Sequence, residues 1–124
     1  MIRLEDAFKS LKPQTSGPGE RPFTTEWTVP ADLPYFDGHF PQNPVFPAVG
    51  ILDASVFYLQ SVLGQWDLEL VGIVNAKFLN PIAPGQRVSV EIRRDKINAW
   101  QVDWTDVETQ KPLAALALQL EQPQ

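Results

Sequence analysis

The stretch from Val49 to Gly64 is the strongest constraint on the fold. Ile51, Leu52, Val56, Phe57, Leu59, Val62 and Leu63 spread over more than one helical face, so the helix they predict must be buried nearly all round. One open sheet leaves such a helix partly bare; a sheet curled around it, or a second copy of the chain, has to complete the cover. Pro47 suits the first turn, where its missing N–H has no partner to lose. Asp53 sits in the middle of this helix and is the only acidic or basic side chain between His39 and Asp67. A carboxylate in that setting must be paired, neutralised or put to use.

The loop ahead of the helix is stiffened by Pro41, Pro44 and Pro47 and holds the chain's single histidine, His39. The 12 prolines gather in the first half, which predicts rigid turns there. With no cysteine, disulfides and thiolate chemistry are excluded, and one histidine makes a tetrahedral zinc site improbable. No glycine-rich phosphate loop is present. A net charge of -5 argues against nucleic-acid binding, which needs a basic surface. The N-terminus combines no basic start with a long apolar run, so neither a signal peptide nor a membrane span is expected, and the cytoplasm is the expected location.

Along the chain, Leu4, Ala7, Phe8 and Leu11 have helical spacing, and Pro13 to Pro22 read as a linker. Period two then takes over. Phe23, Thr25, Trp27 and Val29 form one side of a first strand. After the long loop and the buried helix, Leu68 to Phe78 predict a second strand with a bulge or close approach at Gly72. Asn80 to Gly85 make a turn. Val88, Val90 and Ile92, then Trp100, Val102 and Trp104, mark two strands joined by a hairpin around Asp95 to Asn98, and Leu116, Leu118 and Leu120 mark a last one. Short turns between successive strands imply antiparallel pairing, which makes the fold α+β, with one sheet and a helix on one face.

The run Gly38-His39-Phe40-Pro41-x-x-Pro44-Val45-x-Pro47, with an acid fourteen places after the histidine, resembles the hotdog-fold β-hydroxyacyl-acyl carrier protein dehydratases. Ala76-Lys77-Phe78, Pro81 and Pro84-Gly85 are similar to that family's following strand and turn. The resemblance implies one hotdog domain, with residues 1–22 as N-terminal helix and linker and 23–124 as the core. It implies dimerisation, as a homodimer or a trimer of dimers, with an acyl tunnel along the interface. The implied reaction removes water from a 3-hydroxyacyl chain carried on the phosphopantetheine arm of acyl carrier protein, with no further cofactor. His39 matches the family's catalytic histidine and Asp53 its catalytic acid, the two coming from opposite subunits.

Those residue types suit the chemistry. A base titrating near neutrality removes the α-proton, and a carboxylic acid in apolar surroundings donates to the leaving hydroxyl. Charge developing on the thioester oxygen needs donors already in place. The backbone N–H groups of Ala48 and Val49, at the positive end of the helix dipole, are the candidates. Tyr35, Phe36, Phe46 and Phe57 are candidates for lining the tunnel, with simple packing as the alternative reading for Tyr35 and Phe36. Arg93, Arg94 and Lys96, joined by Lys77 and Arg87, are candidates for docking the carrier protein, with a solvated strand end as the alternative. Two positions depart from the family pattern. Ala48 stands where glycine is usual, and Phe57 where glutamine is usual four places after the acid. A hotdog thioesterase and a non-catalytic acyl-binding subunit that pairs with an active dehydratase are the competing readings.

Overall fold

The computed structural model describes Phe8, residues 22–36 and residues 45–123. The expected helix over residues 3 to 12, apart from Phe8, lies outside the described residues, as does the segment 37–44 with His39. The elements are β1 (Phe23–Thr28), a short 3-10 turn (Pro34–Phe36), α1 (Ala48–Leu63), β2 (Glu69–Phe78), β3 (Arg87–Lys96), β4 (Ala99–Asp106) and β5 (Pro112–Glu121). This is the expected α+β hotdog arrangement, a sheet on a long helix.

Pro47 is the N-cap of α1 rather than a residue of its first turn. It is extended (φ -75, ψ 163), and its carbonyl accepts the N–H groups of Gly50 (2.9 Å) and Ile51 (3.1 Å). The helix stops where expected. Gly64 takes a left-handed φ of 64, which lets the next amide, that of Gln65, turn back to the Gln60 carbonyl at 3.1 Å.

All strand pairings are antiparallel, in the order β1-β3-β4-β5-β2. Alternation places Trp27, Val88, Val90, Ile92, Val102, Trp104, Leu116, Leu118 and Leu120 on the buried face. Against them α1 packs Ile51, Ala54, Ser55, Tyr58 and Leu59. Trp104 is edge-on to Trp27 at 6.1 Å, and its indole N–H donates to Ser55 Oγ at 2.9 Å. Ser55 in turn donates to the Ile51 carbonyl, one helical turn back, at 2.7 Å. Trp104 and Ser55 thus form one relay from sheet to helix, whereas the buried Tyr58 hydroxyl has no hydrogen-bond partner among the described residues.

The sheet order corrects one expectation. β2 and β3, joined by the Asn80–Gly85 turn, do not pair with each other; β2 pairs with β5 and β3 with β1. Residues 79–86 instead run from the edge strand β2 across to β3, next to the opposite edge, and are held along the way. Phe46 N–H donates to the Ile82 carbonyl (2.7 Å), Gly85 N–H to the Val29 carbonyl (2.7 Å) and Val29 N–H to the Gln86 carbonyl (3.0 Å). Ile82 is fully buried, so an apolar side chain anchors the crossing.

The pairing of β2 with β5 shifts register between Leu70 and Gly72 and again between Ile73 and Asn75. The predicted bulge at Gly72 is present. β2 is also an edge strand with unusual exposure: Val71, Ile73, Val74 and Phe78 are between 47% and 64% exposed.

Candidate active site

Asp53 lies one turn after the start of α1, four residues beyond Val49. At 1.5 Å per residue the carboxylate sits about 6 Å along the axis from the free end of the helix and on the same face. At that end the amides of Ala48 and Val49 have no acceptor among the described residues, because the Pro47 carbonyl engages only the amides that follow. They point the positive end of the helix dipole outward.

On the same side of α1, Asp53 lines an apolar groove of about 220 Å³ with Phe8, Leu52, Val56, Phe57, Gln60 and Leu70. Helical spacing explains the set, since Val56, Phe57 and Gln60 follow Asp53 at i+3, i+4 and i+7. Phe57 packs on Phe8 (5.7 Å) and Trp66 (5.4 Å), closing one side. Gln60 Nε2 donates to the Leu68 carbonyl at 2.8 Å and ties the helix to the chain entering β2.

Among the described residues Asp53 has one hydrogen-bond partner. The Tyr35 hydroxyl donates to Asp53 Oδ2 at 2.6 Å. Tyr35 sits in the 3-10 turn, which is fixed by the Phe36 N–H bond to the Leu33 carbonyl (3.1 Å) and by the fully buried Leu33. Its ring lies edge-on to Phe46 at 5.5 Å and stacked against Phe8 at 6.4 Å. Burial, then the hydrogen bond to Asp53 and the carboxylate's charge, hold the phenol proton well above the usual tyrosine range.

The tunnel candidates separate in the structure. Phe57 lines the groove, whereas Tyr35 reaches the carboxylate itself. Phe46 is buried between Trp27, Trp104, Tyr35 and Phe36, and it borders a second cleft with Pro47, Ala48, Phe78 and Leu79 at the helix start. Phe36 packs on Phe46 and does not line the groove.

The basic candidates do not form one patch. Arg87 pairs with Glu26 (2.7 Å), and Arg93 with Asp103 (3.2 Å) and Glu91 (3.6 Å), on the outer face of the sheet. Arg94 alternates to the other face, with its guanidinium 5.4 Å from the Trp100 ring centre. Lys77 is on the opposite edge strand. The strand period separates neighbours that look contiguous in the sequence. No group of three or more potential metal ligands occurs among the described residues. No helix among them is long and apolar enough to cross a membrane.

Sequence reasoning missed the groove's Phe8, Leu52, Val56, Gln60 and Leu70 and the Tyr35–Asp53 bond. Helical spacing from Asp53 is the signal that points to Val56 and Gln60; contacts from distant elements carry no local signal.

A family model described as ApeI dehydratase, of the ApeI-like family, matches residues 15–115. The chain belongs to the ApeI-like dehydratase family. Similar to this ApeI-like chain is the 3-hydroxyacyl-(acyl-carrier-protein) dehydratase FabZ of Bartonella bacilliformis. It is 39% identical over 72 residues, covering 52% of this chain and 47% of the relative. The FabZ of Chloroflexus aggregans is 32% identical over 101 residues, covering 76% and 65%. The chain spans about half the length of most of the curated relatives it matches. Among solved structures, the dehydratase heterocomplex ApeI:P from Xenorhabdus doucetiae superposes with a TM-score of 0.73 at 22% identity, over 87% of this chain and 95% of that one. At that identity the likeness establishes the shared fold.

Proposed function

We propose that this ApeI-like protein dehydrates 3-hydroxyacyl thioesters carried on acyl carrier protein to trans-2-enoyl thioesters, in fatty acid or related lipid synthesis. The observation that carries the reading is the lone carboxylate of α1 opening into an apolar groove, one turn from helix-start amides that have no acceptor among the described residues. A structural carboxylate needs no groove; an acid that meets an acyl chain does.

In this reading His39 takes the α-proton. Asp53 protonates the β-hydroxyl, which leaves as water while the α,β double bond forms. The amides of Ala48 and Val49 receive the charge that grows on the thioester oxygen. The acyl chain runs along Leu52, Val56, Phe57 and Leu70. No metal or redox cofactor enters the reaction.

The site is completed by a second hotdog subunit, which supplies the His39 that faces each Asp53. The exposed apolar edge of β2 supports that assembly, since its outer backbone edge, which pairs with no strand among the described residues, and Val71, Ile73 and Val74 offer both ladder bonds and apolar area to another subunit. Carrier protein docks through Arg94 and Lys96, which pair with no carboxylate among the described residues and flank the exposed Ile97 at the β3–β4 hairpin.

The test is dehydration of 3-hydroxyacyl thioesters, followed by enoyl absorbance, for wild type, His39→Ala and Asp53→Asn. Loss of turnover in both folded variants is the expected result. A wild type inactive on carrier-bound chains of several lengths sinks the reading and favours the non-catalytic subunit.

A further inference from the structure

The carboxyl of Asp53 has two oxygens, and they are not equivalent in this fold. Oδ2 accepts the Tyr35 hydroxyl at 2.6 Å; Oδ1 has no hydrogen-bond partner among the described residues. Tyr35 is not placed there by chance contact. The 3-10 turn fixes its backbone, and Phe8 and Phe46 clamp its ring on two sides, so the hydroxyl has little freedom to leave.

Resting on the function proposed above, we infer that Tyr35 is the positioning residue of the catalytic acid: its hydroxyl keeps Oδ2 an acceptor and confines the transferable proton of Asp53 to Oδ1. A general acid works only when the proton is on the oxygen that faces the leaving group. A carboxyl free to rotate or to place its proton on either oxygen spends part of its time wrongly armed. The phenol, held neutral by burial and by the neighbouring carboxylate, donates to Oδ2, and a protonated acid that keeps this bond carries its proton on Oδ1. The ring clamps also fix the side-chain torsion of Asp53 through the short bond. Tyr35 itself neither gives up nor takes a proton in the cycle, and the atoms of the dehydration balance without it.

Tyr35→Phe tests this, because it keeps the ring between Phe8 and Phe46 and deletes one oxygen. Two quantities, kcat and KM, are read on the full chain with a 3-hydroxyacyl thioester. We expect kcat to fall about tenfold or more with KM within about twofold, since the acid is misarmed while the groove is unchanged. A fall in kcat matched by a rise in KM overturns the inference and leaves Tyr35 a packing residue. Unchanged kcat overturns it too. The carbon-13 resonance of the Asp53 carboxyl, compared in the two proteins at one pH, needs no turnover. If the wild type proves inactive, the function fails, while a carboxyl resonance displaced in Tyr35→Phe still upholds the positioning and an unmoved one overturns it.

Discussion

The indole N–H of Trp104 donates to Ser55 Oγ, so a fully buried tryptophan of the sheet and the middle of the helix are joined by a buried hydrogen bond at 2.9 Å. Ser55 also spans back to the Ile51 carbonyl, and both partners are fully buried. In Ser55→Ala the indole donor is left unpaired in the core, which costs about 1–3 kcal/mol. Denaturant unfolding of the variant is expected to show a lower midpoint at unchanged slope. Ser55→Cys, with its weak acceptor, should fall between the two.

Gly50 lies so close against the Phe46 ring that a Cβ there would overlap its ring carbons. Phe46 is itself locked among Trp27, Trp104 and Tyr35 and has no room to retreat. Gly50→Ala is expected to destabilise by about 1–3 kcal/mol through overpacking. Because Phe46 braces the Tyr35 ring, the same variant should lose more activity than its stability loss explains, which is checked by assaying it well below its melting temperature.

Val74 stands at the second register shift of β2 and is 64% exposed. A charge placed on a strand edge opposes pairing with another edge. On the two-subunit site proposed above, Val74→Lys is expected to shift the particle measured by light scattering from dimer to monomer and to remove the proposed dehydratase activity with it. A monomeric variant that retained full activity would contradict the shared site.

Asp106 caps the turn between β4 and β5. Its Oδ1 accepts the Glu108 N–H at 3.0 Å, and Gln86 Nε2 lies 3.3 Å from Oδ2. The Glu108 backbone bond, helped by Thr109 and Gln86, lowers the carboxyl below its ordinary 3.8. A lowered folded-state value means the contribution is fully present above the ordinary carboxylate range and is lost as pH falls through the folded value. Asp106→Asn should therefore lower the melting temperature at pH 7 and converge on wild type at the most acidic pH that both tolerate.

Arg94 and Lys96 lie on the β3–β4 hairpin beside Ile97, which is 82% exposed. Reversing both charges is expected to raise KM for carrier-bound substrate several-fold and to leave a small thioester unaffected. Equal loss on both substrates would place the pair in folding rather than docking.

Much of this was readable beforehand, for identifiable reasons. The all-round apolar helix, the period-two rows of β3, β4 and β5, and the glycine bulge in β2 are local patterns that the backbone imposes on any chain. So is the isolation of Asp53. The pairing of β2 with β5 was not legible, because residues 79–86 look like an ordinary turn and only the burial of Ile82 and the bonds to Phe46 and Val29 carry the chain across. The Tyr35–Asp53 bond was hidden for a similar reason. A tyrosine between proline and phenylalanine reads as packing until the 3-10 turn sets where its oxygen falls.

The crossing of residues 79–86 also has a bearing on time. β3, β4 and β5 follow one another through tight turns, so their pairing closes only short loops and can be complete early. β1 must find β3 across the whole of α1 and β2, as in the pairing of Phe23 with Ile92, and β2 must find β5 across the meander. The groove borrows Leu70 from β2 and the acid from α1. A newly made chain therefore acquires a folded meander before it has anywhere to put a substrate, and in refolding experiments tryptophan burial should run ahead of the return of activity.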